Sequence, residues 1–106
     1  MVAEYARVCA IDDIPNGTVK AFTIGEHSIL IANRDGEFHA IANTCSHDGG
    51  DLGDGKLVDG QVECPRHGAR FDIKTGEAVR MPAVVGVDRY DVKAEDGTIL
   101  VELEED

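Results

Sequence analysis

Basic residues are scarce in this chain, and the scarcity excludes a class of function. Ten Lys and Arg stand against 21 Asp and Glu, a formal charge of −11. A surface of that sign repels phosphate, so electrostatic binding of nucleic acid is excluded. It suits a protein steered to a partner with a basic docking face. Long apolar runs are missing too: residues 29–32 and the interrupted 83–87 are the longest, far short of the roughly 20 residues of a membrane helix. Residues 1–6 hold a Glu and no basic start to an apolar stretch, so no secretory leader is expected and the expected compartment is the cytoplasm. Three cysteines cannot complete a set of disulfides, which favours another use for them. Repeats and linkers are also lacking, and 106 residues then make one domain, 1–106, able to bury one continuous core.

What the chain does have is turn formers between short alternating runs. Twelve Gly, with Val, Ile and Thr prominent, lean towards β structure. Strands are predicted at 4–10, 18–24, 28–33, 37–42, 56–58, 61–63, 70–73, 77–81, 87–94 and 98–104, with a short helical turn closing into a loop over 11–17. Residues 87–94 and 98–104 should form a closing hairpin over Glu95-Asp96-Gly97. About ten short strands and no long helix predict an all-β fold: an antiparallel β-sandwich or incomplete barrel, with residues 43–82 as a small metal-holding part.

Two short stretches carry the chemistry: Cys45-Ser46-His47 and Cys64-Pro65-Arg66-His67, with 16 residues between His47 and Cys64. Each offers one thiolate and one imidazole. A mixed iron–sulfur centre can divide such a set, one iron taking both thiolates and the other both imidazoles. Two imidazoles in place of two thiolates remove negative charge from the ligand shell, so the potential rises to roughly −150 to +300 mV and single electrons are passed. Gly49, Gly50 and Gly68 would let the loops curl so that backbone amides face the sulfides. Zinc is the competing reading, because two Cys and two His also satisfy a tetrahedral site and would make a zinc-stapled β module for protein binding. Zinc modules usually group two cysteines in one knuckle and two histidines in another, whereas each loop here is mixed.

Cys45-x-His47 and Cys64-Pro65-x-His67-Gly68, followed by Phe71-Asp72, resemble the signature of the Rieske [2Fe–2S] ferredoxins. The preceding strand pattern and the Met81-Pro82-Ala83 stretch resemble that family's β scaffold and the proline loop over its cluster. The resemblance implies one [2Fe–2S] cluster, with Cys45 and Cys64 on the inner iron and His47 and His67 on an outer iron near the surface. The histidine edge would be the electron exit. Where respiratory members carry a disulfide between the loops, this chain has Gly50 and Arg66. Where they place a Ser and a Tyr that bond the cluster sulfurs, it has Ala69 and Phe71, which implies a potential low in the family range. These departures are similar to the small soluble ferredoxins of bacterial ring-hydroxylating dioxygenases. The implied partners are a flavin-dependent reductase and a terminal oxygenase, served by a monomer with no catalysis of its own. Nitrite reductase small subunits resemble the chain as well.

Other reactive side chains have weaker claims. Cys9 is expected to be a buried, inert thiol in a strand. His27 in a turn and His39 in a strand are expected to be surface or half-buried residues. Arg66 should stand at the tip beside His67, and the acidic end, Glu102, Glu104, Glu105 and Asp106, should serve solubility.

Overall fold

The run Ile29-Leu30-Ile31-Ala32 has no polar residue for either face, which is the pattern of a strand covered on both sides. The computed structural model, which describes residues 2–46, 49–53 and 55–105, places it in β3 (His27–Arg34) with all four side chains fully buried. β3 pairs antiparallel with β2 (Thr18–Ile24) and β4 (Glu37–Ala42), and β4 carries β9 (Arg89–Tyr90) on its far edge. This four-stranded sheet is the middle layer. Ile29, Ile31 and Ala40 on one face meet Ile99, Val101 and Leu103. Those three belong to β11 (Thr98–Glu105), which lies between β1 (Val2–Ala10) and β10 (Val92–Glu95).

The other face turns Leu30, Ala32 and Ile41 towards Cys45, Leu52, Val62, Cys64 and Phe71. That third layer is a sheet of short strands, β5 (Lys56–Val58), β6 (Gln61–Glu63), β7 (Arg70–Asp72) and β8 (Ala78–Arg80), in sequence order. A single strand thus feeds two cores, because its odd and even residues face opposite ways.

The all-β antiparallel plan is as expected, with eleven strands among the described residues. One predicted strand needs correction. Residues 87–94 are not one strand: the carbonyl of Asp88 accepts from the Ala42 N–H at 2.8 Å and that of Asp91 from the Glu102 N–H at 2.8 Å. The segment bonds first to the middle sheet and then to the outer one, and the crossing breaks it into β9 and β10. The short helical turn is where it was expected, a 3₁₀ turn over Ile11–Asp13 that gives way to a loop. It stops there because Asn33 claims the next carbonyl, donating from Nδ2 to Ile14 O at 2.7 Å. No helix among the described residues is long and apolar enough to cross a membrane.

Candidate metal centre

Each ligand loop closes on its own cysteine through the same pair of backbone bonds. The Cys45 N–H donates to Gly50 O at 2.7 Å, and the Gly49 N–H donates to Cys45 O at 2.7 Å. In the second loop the Cys64 N–H donates to Ala69 O at 2.7 Å, and the Gly68 N–H donates to Cys64 O at 3.0 Å. The residue four places after each cysteine is left-handed, Gly49 at φ 74° and Gly68 at φ 78°. A side chain there would be strained by roughly 1–2 kcal/mol, which is why both positions are glycine. The two loops are therefore one backbone design used twice, although one places its histidine two residues after the cysteine and the other three.

Both of the loops' sulfurs are buried, and the described imidazole, His67, is exposed. Cys45 and Cys64 are 0% and 1% exposed and belong to one apolar cluster with Leu52, Val62, Phe71 and Ala83. No disulfide forms among the described residues. His67 is exposed, and His47 lies outside the described residues. Two buried thiols beside an exposed imidazole fit a cluster with a thiolate-bound inner iron and an imidazole-bound outer one. Among the described residues no three His, Cys, Asp or Glu side chains gather about one ion. A bridged pair of irons asks each metal for only two protein ligands.

Several residues that hold the loops escape the sequence pattern. Buried Asn43 accepts from the Leu52 N–H at 3.0 Å through Oδ1 and donates to Ser28 Oγ at 3.2 Å, tying the far end of the first loop to β3. The Ser46 hydroxyl donates to the Val85 carbonyl, fastening residues 83–87 beside that loop. Arg70 pairs with Glu63 at 3.0 Å across β6 and β7 below the second loop. A Cβ added to Gly50 would meet the Arg66 guanidinium carbon at 2.6 Å. The positions that a disulfide joins in respiratory proteins are thus in contact here too, through an arginine laid over a glycine. Only Gly50 and Arg66 were visible as candidates beforehand; Asn43, Ser46 and Val85 act through partners distant in sequence.

The other candidates stand apart. Cys9 is half-buried rather than buried, packed against the β11 side of the core, and burial, then Asp13, pushes its thiol pKa up. His27 begins β3 rather than sitting in a turn, with its ring edge-on to Tyr90 at 6.2 Å. His39 is half-buried in β4, and burial lowers its pKa. Arg66 is exposed, as expected of a residue at the tip.

Comparison with known proteins agrees with this geometry. A family model described as the Rieske [2Fe-2S] domain matches residues 4–91. The ferredoxin component of biphenyl 2,3-dioxygenase from Rhodococcus jostii is 40% identical over 98 residues, which is 92% of each chain. The structure of the ferredoxin of carbazole 1,9a-dioxygenase from Nocardioides aromaticivorans matches with a TM-score of 0.88 at 32% identity, over 92% of this chain and 95% of that one. A chain in the complex of reduced oxygenase and oxidized ferredoxin in carbazole 1,9a-dioxygenase matches with a TM-score of 0.85 at 28% identity, over 92% of this chain and 91% of its own. With most of its length matched and its paired loops built alike, this chain belongs to the Rieske [2Fe–2S] domain family.

Proposed function

We propose that this protein is a one-electron carrier, taking an electron from a flavin-dependent reductase and delivering it to a terminal oxygenase in the cytoplasm. In this reading Cys45 and Cys64 hold the inner iron, and His47 and His67 the outer. One domain over residues 1–106 serves the task, with residues 43–82 holding the cluster and the two larger sheets as its support. The bound [2Fe–2S] cluster supplies reversible storage of one electron. The chain supplies the asymmetry: Leu52, Val62, Phe71 and Ala83 keep water from the thiolate side, while exposed His67 brings the other side to the surface. Catalysis is left to the partner.

The observation that carries this reading is the matched closure of two loops over two buried cysteines, with the described imidazole outside. The zinc module is set aside, since the family to which the chain belongs is defined by a two-iron cluster. Metal analysis of aerobically purified protein tests the assignment. About two irons and two acid-labile sulfides per chain, with a reddish-brown colour lost in Cys45→Ser and Cys64→Ser, are expected. A colourless protein with about one zinc per chain would overturn it.

A further inference from the structure

Gly49 and Gly50 are neighbours in the first ligand loop, yet the backbone explains only one of them. Gly49 is left-handed at φ 74°, whereas Gly50 has no φ in the left-handed region and could carry a side chain without backbone strain. The space of that side chain is taken by Arg66 of the other loop. A Cβ on Gly50 would stand 2.6 Å from the guanidinium carbon, 2.6 Å from Nη2 and 2.8 Å from Nε, and those three atoms are its nearest neighbours. Near-equal distances to the central carbon and two of its nitrogens put that Cβ over the face of the guanidinium plane. Arg66 therefore lies across the glycine, a contact that suits planar Arg and not the compact ammonium of Lys.

The contact joins the closures of both ligand loops. The Gly50 carbonyl is the one that accepts from the Cys45 N–H at 2.7 Å and so shuts the first loop on its cysteine. Arg66 stands between Cys64 and His67, inside the turn that the Gly68 N–H closes on Cys64 O at 3.0 Å. The two arginines of this region have different tasks. Arg70 pairs with Glu63 at 3.0 Å within its own sheet, while Arg66 reaches across to the first loop.

We propose that Arg66 is a positioning residue, a non-covalent clasp whose guanidinium holds the two ligand loops together over the cluster, and that Gly50 lacks a side chain in order to admit it. The proposal rests on the cluster assignment above. A cluster held from two loops is released when the loops part, so the clasp slows its loss. Unlike a disulfide, the clasp needs no oxidant to form. It also sets a positive charge beside the centre, which favours the added electron.

The test follows loss of the visible chromophore from the whole iron-loaded chain to an iron chelator, with the midpoint potential measured in parallel by redox titration. Arg66→Ala should release the cluster roughly tenfold faster. Gly50→Ala, which keeps the arginine but displaces it, should speed release by a similar factor. In the double variant the two effects should not multiply: release should match Arg66→Ala, because the alanine methyl then has room. Arg66→Lys keeps the charge without the plane, so it should match Arg66→Ala in release yet stay above it in midpoint, while the midpoint of Arg66→Ala falls below wild type. Wild-type release in Gly50→Ala, Arg66→Ala or Arg66→Lys, or multiplied effects in the double variant, would overturn the clasp. An Arg66→Ala midpoint at or above wild type would overturn the placing of its charge at the centre. Wild-type protein that binds no pair of irons would instead overturn the cluster assignment on which the clasp rests.

Discussion

Phe71 fills the centre of the cysteine cluster, and Ala69 lies beside it, both fully buried. Neither side chain can donate a hydrogen bond to a cluster sulfur. Donors to cluster sulfur raise the potential, and a chain without these two should sit in the lower part of the range of roughly −150 to +300 mV. Phe71→Tyr, which supplies a hydroxyl, should raise the midpoint on the order of 50 mV, the equivalent of about 1 kcal/mol or one ordinary hydrogen bond. A redox titration in which the variant falls or stays level would contradict this. His39 poses a different problem at the same scale: its buried Nε2 has no hydrogen-bond partner among the described residues. Burial lowers its pKa, Lys74 and Arg89 add to the effect, and Glu37 and Asp72 oppose it. The folded state thus takes up this proton less readily than the unfolded one. The stability His39 contributes is complete above its ordinary value of 6.5 and is lost as the pH falls through its lower folded value. Denaturation midpoints should drop between about pH 7.5 and about pH 5.5, and His39→Leu should shallow that drop. An equal drop in the variant would show that the proton binds elsewhere.

At the scale of elements, the ligand loops depend on ties from segments far away in sequence. The Ser46 hydroxyl on Val85 spans 39 positions, and Asn43 joins β4, β3 and the end of the first loop. Ser46→Ala should keep the visible spectrum but release the cluster to a chelator about fivefold faster, as the loss of roughly 1 kcal/mol implies. An unchanged release rate would mean that residues 83–87 are held by the buried Ala83 alone. These ties also mark where the sequence stops being legible. Residues 56–58 and 61–63 pair as expected because Asp59-Gly60 forces the turn locally. Cys45 and Cys64 declare themselves through spacing to a histidine and a glycine. The shared backbone plan of the loops is hidden, because unequal Cys–His spacings mask equal Cys–Gly ones. The break at Asp91 is hidden as well, since alternation continues unbroken while the hydrogen bonds change sheets.

Over the whole molecule, three antiparallel layers divide the work. β3 and β4 give one face to the β11 core and the other to the cysteine core, so the ligand loops rest on a sheet that is itself braced from behind. In the sequence the run at residues 29–32 shows only as an apolar stretch too short to cross a membrane, and its cover on both faces comes from the structure. All of this serves the arrangement proposed above, with the cysteine sulfurs inward and the imidazoles outward. Nitrogen-sensitive pulsed EPR of the dithionite-reduced protein tests that arrangement most directly. The account predicts couplings from two imidazole nitrogens, one of them removed together with the native signal in His67→Cys; a reduced cluster with no imidazole coupling would contradict it.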